Sequence, residues 1–253
     1  MNRVLRIREI RNKLQCGLTS LGSWMQLSDA AVAEIIGDAG YDWVAVDLEH
    51  GSIDTSDLPN INRALELGGT LPLVRLATGS VKDCKAALDS GAGGVIVPMI
   101  ESYEQLTEVR DFCCWPPAGK RGVGYSRANL YGKRFADYAA EAEAPILVAM
   151  IESVNALEHL DQILEVKGLD AIFIGPYDLS ASLGITGMFE DERFSNALLT
   201  IKQKCNAASM PLGIHVVEPN STELLRRQAE GYQFIAYSLD ARFMITACEN
   251  PIA

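Results

Sequence analysis

The chain has 253 residues, of which 48% are hydrophobic, and a formal net charge of −11 at pH 7. A (β/α)8 barrel typically has roughly 250 residues, so we expect one domain over residues 1–253 rather than two. The negative charge disfavours nucleic acid and anionic membranes as partners. We find no apolar run near the ~20 residues of a membrane span and no secretion signal at the start. The six cysteines form no CxxC motif, and we predict reduced thiols in a cytoplasmic protein.

Apolar segments and helical patterns alternate along the chain. The charged, amphipathic start predicts a short N-terminal helix. Eight short apolar segments follow, and continuous runs of this kind suit parallel strands that are covered on both faces. The predicted strands lie within residues 17–27, 42–50, 70–76, 93–100, 145–153, 169–174, 211–217 and 233–238.

A glycine precedes several of the predicted strands in the same way. Gly40, Gly91, Gly168 and Gly231 each occupy an expected helix C′ position, followed by a short turn and then the strand. This internal βα repeat predicts a closed (β/α)8 TIM barrel. A doubly wound sheet is the competing fold, but no GxGxxG motif follows the first strand, which disfavours a dinucleotide-binding protein.

One long segment interrupts the alternation. Residues 115–135 follow the fourth strand and its helix, and they are rich in Gly, Arg and Tyr. Connections of this length in a compact domain are usually functional. We therefore expect a loop at the barrel rim, or a lid over it.

Two acidic residues close neighbouring apolar segments. Glu152 follows the fifth predicted strand and Asp178 follows the sixth, so both carboxylates are expected at one rim of the barrel. Two carboxylates with room left for water and substrate suit Mg²⁺ or Mn²⁺. Asp178 is also a candidate N-cap for the following helix, and the Gly175-Pro step before it can turn backbone N–H groups toward an anion.

Histidine and arginine follow two earlier strands. His50 lies three residues after Asp47, and an Asp–His pair at a rim suits proton transfer, with the carboxylate orienting the ring. Arg75 ends an apolar strand and needs an anionic partner, either a substrate oxygen or a salt bridge with Glu49 or Glu152. No lysine lies in a predicted strand, which disfavours Schiff-base chemistry.

The two remaining histidines carry less information. His159 lies in a polar helical pattern and is expected to face solvent. His215 ends the seventh strand, and lining the pocket and packing within the barrel are equally plausible for it.

These segments together resemble the HpcH/HpaI aldolase family, the class II pyruvate aldolases. The similar segments are residues 47–51 (Asp-Leu-Glu-His-Gly), 74–75 (Val-Arg), 116–124 (Pro-Pro-Ala-Gly-Lys-Arg-Gly-Val-Gly), 151–153 (Ile-Glu-Ser) and 173–180 (Phe-Ile-Gly-Pro-Tyr-Asp-Leu-Ser). The resemblance runs in order from about residue 17 to residue 238.

The resemblance implies a metal-dependent cleavage of a 4-hydroxy-2-oxo acid into pyruvate and an aldehyde, through a metal-stabilised enolate. It implies a divalent cation on Glu152 and Asp178, which is Mg²⁺ or Mn²⁺, with Co²⁺ as a further option. Arg75 would hold the enolate oxygen, and His50, oriented by Asp47, would take the C4 hydroxyl proton through a water.

The same resemblance implies further contacts with substrate and with a second subunit. Backbone amides around Gly175, Tyr177 and Asp178 would bind the pyruvate carboxylate. Family members are often hexamers, so we expect a homo-oligomer, hexamer or trimer. Asp89 matches the position of an acid that reaches the site from a neighbouring subunit.

One position departs from the family pattern, and two alternatives stay open. Met150 stands where family members often carry Gln, and a thioether cannot replace the hydrogen bonds of an amide. A related carbon–carbon lyase acting on an acyl-CoA or phosphoenolpyruvate-type substrate is the first alternative, and a binding protein that kept the fold is the second. A CoA substrate would need a basic groove, and the sequence offers one basic patch, at Lys120, Arg121, Arg127, Lys133 and Arg134.

Overall fold

Eight parallel strands close into a barrel in chain order, as predicted. The computed structural model describes residues 1–248, so residues 249–253 of the predicted domain lie outside the described residues. The strands are β1 Ser20–Met25, β2 Trp43–Asp47, β3 Leu71–Arg75, β4 Gly94–Val97, β5 Ile146–Ile151, β6 Ala171–Ile174, β7 Leu212–Val216 and β8 Phe234–Leu239. Each lies within its predicted segment, except that β8 runs one residue further. The doubly wound alternative is wrong because β8 pairs with β1.

Helices cover the outside of the barrel. They are α1 Arg3–Gln15, α2 Ala30–Asp38, α3 Leu58–Leu67, α4 Val81–Asp89, α5 Tyr103–Cys113, a 3₁₀ helix Arg127–Asn129, α6 Phe135–Glu143, α7 Val154–Glu158, α8 Leu160–Ile163, α9 Pro176–Ser182, α10 Glu192–Ala207, α11 Ser221–Ala229 and α12 Asp240–Ala247. Several begin at a polar cap, such as Asp29 and Ser80, whose side chain accepts first-turn N–H groups. Among residues 1–248, no helix is both long and apolar enough to span a membrane.

The repeated glycines are confirmed at three of their four positions. Gly40, Gly91 and Gly231 each follow the C-cap residue of a helix and have positive φ, which glycine adopts without strain. Gly168 also has positive φ, but α8 has its C-cap at Leu164, so this glycine lies in a later turn. Its prediction as a C′ residue is wrong because the helix ends early.

Side chains that point into the barrel form a core of their own. Trp43 and Phe234 stack face to face there, with ring centroids 4.1 Å apart. The Trp43 ring occupies the space beside Gly22, where an added Cβ would lie 2.2 Å from a ring carbon. Position 22 therefore excludes any side chain.

The predicted N-terminal helix closes the amino-terminal end of the barrel. Its apolar side chains Ile7, Ile10 and Leu14 join the inner core. Arg11 pairs with Asp170, just before β6, and Lys13 pairs with Asp42, just before β2. Because both partners precede strands, α1 covers the end opposite to the strand carboxyl termini.

The long segment 115–135 lies at this same amino-terminal end, so its expected place at the rim is wrong. The segment joins α5 to α6, which leads into β5. A connection that leaves a barrel helix must reach the amino end of the next strand. Arg127 anchors it there by donating to the Ser90 carbonyl, just after α4, and to Glu66, near the end of α3. The segment is therefore not a lid over its own rim.

Candidate active site

The acids and the arginine singled out above lie at the carboxyl ends of the strands. Asp47 and Arg75 are the last residues of β2 and β3, and Glu152 directly follows β5. Gly175 follows β6, and Asp178 lies in the first turn of α9. Parallel strands end at one rim, so these groups share the end of the barrel where enzymes of this fold keep their chemistry.

Arg75 and Asp47 form a buried, two-point ion pair. Nε of Arg75 donates to Oδ1 of Asp47 at 2.8 Å, and Nη2 donates to Oδ2 at 2.6 Å. Burial alone would raise the pKa of Asp47, but the hydrogen bonds and positive charge of Arg75 outweigh it and hold that pKa below its usual value. The pair is therefore ionised at neutral pH.

Glu49 is a second anionic partner of Arg75. Its Oε2 lies 2.7 Å from Nη1, although the two groups lack the orientation of a hydrogen bond. The predicted salt bridge with Glu49 is present, and Asp47 is a partner that the sequence reasoning did not assign. Nη1 is thus the one terminal nitrogen of Arg75 that Asp47 does not engage.

Asp47 holds the loop that carries His50, and it does so through the backbone. Oδ1 accepts the N–H groups of Glu49 at 3.0 Å and His50 at 3.1 Å. Oδ2 accepts the indole of Trp24 and the side-chain amide of Gln26. The predicted contact between Asp47 and the His50 ring is therefore wrong. Both oxygens of the carboxylate are occupied by other donors, and the His50 side chain is exposed.

Glu152 is a nearly fully buried carboxylate at the rim. Burial raises its pKa to about 7, the N–H of Met99 opposes that rise, and the charges of Glu49 and Asp178 add to it. The Met99 N–H donates to Oε2 at 2.8 Å, and Met99 has a φ of 52°, which is unfavourable for this residue type. The backbone therefore holds a strained conformation where it contacts the carboxylate.

Gly175 and Asp178 define the other side of the site. Gly175 is the N-cap of α9, so the alternative role of Asp178 as N-cap is wrong. Asp178 is exposed in the first turn, as is Tyr177, whose ring packs edge-on against Phe189. An added Cβ on Gly175 would lie 2.3 Å from Oε1 of Glu152, so the glycine makes room for that carboxylate.

The donor set at the rim fits a divalent cation that takes few protein ligands. Glu49, Glu152 and Asp178 are close enough for their charges to affect one another. The pKa of the buried Glu152 is raised, and a bound cation would favour the ionised form of this carboxylate. Among residues 1–248, no cluster of three or more His, Cys, Asp or Glu side chains is arranged around a metal position. The eight strands also contain no lysine.

Asp89 lies far from this rim in its own chain. It is the last residue of α4, and α4 runs back from the rim toward the amino ends of the strands. Burial raises the pKa of Asp89, while the charges of Arg121 and Lys85 lower it. A single chain thus does not bring Asp89 together with Glu152.

The inner wall below the rim is largely apolar. Met150 is buried in the inner core, in the same cluster as Trp24 and Phe173. His215 also points inward: its ring stacks on Trp24 with centroids 5.1 Å apart, and Nε2 lies 2.9 Å from the Ser238 carbonyl oxygen. Burial lowers the pKa of His215 to about 4. His215 therefore both lines the wall and packs within the barrel.

Two contacts of the site were not predicted from the sequence. Asp47 pairs with Arg75 at the end of the neighbouring strand, whereas its spacing from His50 had indicated a contact with that ring. The contact of Met99 with Glu152 runs through a backbone N–H, so residue type gave no signal for it. His159 is partly exposed in the α7–α8 junction, outside the site.

A closed (β/α)8 barrel with acids and an arginine at the carboxyl ends of its strands has the architecture of a TIM-barrel enzyme. The family model described as HpcH/HpaI aldolase/citrate lyase matches residues 20–247. The chain therefore belongs to the HpcH/HpaI aldolase/citrate lyase family, as the resemblance indicated.

The names of similar proteins indicate the class of reaction more closely than the family description does. A hydroxypyruvate/pyruvate aldolase of Roseobacter denitrificans is 33% identical over 94% of this chain and 93% of its own length. A 2-keto-3-deoxy-L-rhamnonate aldolase of Salmonella gallinarum is 35% identical over 95% and 90%. A family protein of solved structure from Burkholderia cenocepacia has a TM-score of 0.88 at 28% identity, covering 94% of this chain and 95% of its own. The chain is a carbon–carbon lyase.

Proposed function

We propose that this protein is a divalent-metal-dependent aldolase that reversibly cleaves a 4-hydroxy-2-oxo acid into pyruvate and an aldehyde. The observation that carries the proposal is the buried Glu152, with its pKa near 7, beside Asp178 and the Arg75–Asp47 pair. The names of the aldolase relatives support the same substrate class.

Glu152 and Asp178 would hold the cation, which we propose to be Mg²⁺ or Mn²⁺, with Co²⁺ as a further option. Carboxylates are the ligands that such hard cations prefer. Bound there, the cation supplies Lewis acidity toward the 2-oxo acid. Gly175 keeps the space that the Glu152 carboxylate needs.

Arg75 would hold the oxygen at C2 of the substrate. Its guanidinium is fixed by Asp47, and Nη1 is the donor that contacts only the Glu49 carboxylate. Charge grows on this oxygen as the C3–C4 bond breaks, and a preorganised cationic donor stabilises it. Backbone N–H groups of Tyr177 and Asp178 would bind the substrate carboxylate.

His50 would take the proton from the C4 hydroxyl through a water molecule. Removal of that proton lets the electrons of the O–H bond form the aldehyde carbonyl while the C3–C4 bond breaks. Asp47 would serve this step by fixing the His50 backbone and Arg75 at once.

We propose further that the working enzyme is a homo-oligomer, a hexamer or trimer. Asp89 lies at the amino-terminal end of its own barrel, so it would act at the rim of a neighbouring subunit. Residues of the nearby segment 115–135 would approach that rim with it, and four of its large apolar side chains are exposed: Val123, Tyr125, Leu130 and Tyr131.

An acyl-CoA substrate is disfavoured by the position of the basic patch. The segment that carries it lies at the amino-terminal end of the barrel, away from the rim of the same chain. Arg121 is buried there against Tyr138, and Arg127 is paired with Glu66. These guanidinium groups are not free to bind the phosphates of a CoA at the rim of their own subunit.

Replacement of a metal ligand tests the proposal. Glu152→Ala should abolish both aldol cleavage and cation binding, the latter followed by calorimetric titration with Mn²⁺. Glu104→Ala, on the exposed face of α5, is the matched control and should change neither. A Glu152→Ala enzyme that keeps full activity would contradict the proposal.

A further inference from the structure

His215 lies near the carboxyl end of β7, is partly exposed, and has one ring nitrogen that the protein engages. Nε2 lies 2.9 Å from the Ser238 carbonyl oxygen, and a carbonyl only accepts, so Nε2 carries the hydrogen. The neutral ring then has a lone pair on Nδ1. Within residues 1–248, Nδ1 is neither hydrogen-bonded to the protein nor enclosed by it.

The surroundings of His215 set it apart from the other polar groups of the site. The ring is held flat against Trp24, and the charges of Arg75 and Asp47 are close enough to influence it. Asp47 and Arg75 are engaged with each other, whereas Met150 and Phe173 give the wall an apolar character. His215 therefore holds an unused acceptor in a wall that otherwise offers little hydrogen bonding.

An acceptor at this place selects for a donor on the ligand. The carboxylate and keto oxygens of a 2-oxo acid can only accept hydrogen bonds, so they do not match Nδ1. A hydroxyl can donate. Because the proposed function assigns the C4 hydroxyl to His50, Nδ1 is left for a second hydroxyl.

We infer that His215 is a specificity-determining residue that accepts a hydrogen bond from a substrate hydroxyl other than the one at C4. The enzyme then favours polyhydroxylated substrates over their deoxy counterparts. The second hydroxyl has two possible sources, the nucleophile or the aldehyde. This inference rests on the proposed aldolase function and deepens it by naming a class of substrate.

Carbon–carbon bond formation from matched partners tests the inference. The values of kcat/KM are measured for pyruvate with acetaldehyde, pyruvate with glycolaldehyde and hydroxypyruvate with acetaldehyde. The enzymes are the natural protein, His215→Leu, His215→Asn and the control His159→Leu. Leucine suits the apolar wall and has no acceptor, while the Asn side-chain oxygen can stand near the position of Nδ1.

The natural enzyme and His159→Leu should prefer a hydroxylated partner by about tenfold. His215→Leu should lose that preference, measured as the ratio of kcat/KM for the hydroxylated pair to kcat/KM for pyruvate with acetaldehyde. His215→Asn should retain the preference. A loss on hydroxypyruvate assigns the hydroxyl to the nucleophile, and a loss on glycolaldehyde assigns it to the aldehyde.

Three results would overturn the inference while leaving the aldolase function in place. They are equal losses on all pairs in His215→Leu, an unchanged preference in that variant, and no preference in His215→Asn. If the natural enzyme turns over none of the pairs and also fails to exchange the methyl protons of pyruvate, the proposed function falls, and the inference falls with it.

Discussion

Glu152 occupies the space that a side chain at position 175 would need. A Cβ on Gly175 would lie 2.3 Å from Oε1 of Glu152 and 2.7 Å from its Cγ, both well inside van der Waals contact. The carboxylate is held on its other side by the Met99 N–H at 2.8 Å. The strand end after β6 thus fixes where the Glu152 carboxylate lies.

Gly175→Ala should displace the Glu152 carboxylate and weaken cation binding. We expect at least a tenfold loss in Mn²⁺ affinity, because misplacing a ligand or its support typically costs 10- to 100-fold. Calorimetric titration measures it. Gly124→Ala, where an added Cβ meets nothing within 4 Å, is the matched control. Equal affinities in the two variants would contradict the assignment.

Arg75→Lys should lower kcat about a hundredfold or more. Lysine keeps the charge but cannot make the two-point contact with Asp47 while pointing a third donor at substrate. Steady-state cleavage assays measure the change, and Mn²⁺ affinity should stay nearly constant. Arg193→Lys removes a similar two-point pair with Asp191 on the exposed surface and should leave kcat unchanged. A fully active Arg75→Lys enzyme would exclude the oxygen-binding role.

Asp47→Asn should destabilise the fold as well as the reaction. It leaves the buried guanidinium of Arg75 with Glu49 as its remaining anion, and breaking a buried pair typically costs about 3 kcal/mol. Urea unfolding measures the free energy of unfolding. Asp191→Asn should show no measurable change, because its partner is exposed and Asn also caps α10. Equal stabilities for the two variants would mean that the Arg75 pair is not a buried ion pair in solution.

The raised pKa of Glu152 predicts how the stability of the cation-free protein depends on pH. The folded-state pKa of about 7 lies above the usual value of 4.5 for a glutamate, so the folded state binds the proton more tightly than the unfolded state between these two pH values. The protonated Glu152 side chain thereby contributes about 3 kcal/mol to the free energy of unfolding. This contribution is fully present below about pH 4.5 and is lost as the pH rises through about 7.

Urea unfolding in EDTA at about pH 5 and about pH 8 tests this dependence. Glu152→Gln cannot titrate, so its advantage over the natural protein should appear as pH rises. Saturating Mn²⁺ should restore the natural protein but not the variant. Parallel pH curves for the two proteins would show that Glu152 has an ordinary pKa.

The barrel and the order of its site residues were predictable, because each strand carries its own apolar signal. Glu152 and Asp178 come directly after such apolar runs, so the direction of the chain alone predicts that they lie at the carboxyl-terminal end of the barrel. The early end of α8 was not predictable, since Gly168 and Gly91 each stand three residues before a strand although only Gly91 follows a helix C-cap. The place of segment 115–135 depends on its connectivity and not on its length or composition: it follows α5 and leads through α6 into β5, so it lies at the amino-terminal end of the barrel.

The partners within the site were harder to predict than its members. Asp47 could have oriented the His50 ring, as a spacing of three residues allows. Instead the chain turns back so that the backbone N–H of His50 donates to the Asp47 carboxylate. Arg75, on the next strand, donates to both oxygens of the same carboxylate. Such choices depend on backbone turns and side-chain rotamers that residue type and spacing do not determine.

Exchange of the methyl protons of pyruvate in D₂O tests the central claim most directly, because it requires no knowledge of the aldehyde. The methyl signal is followed by NMR with added Mg²⁺ or trace Mn²⁺, and with EDTA. We predict that the methyl protons are lost with either metal and that the loss is abolished by EDTA and by Glu152→Ala. Persistence of the methyl signal with every metal, or exchange that survives EDTA and Glu152→Ala, would contradict metal-dependent enolate chemistry at Glu152 and Asp178.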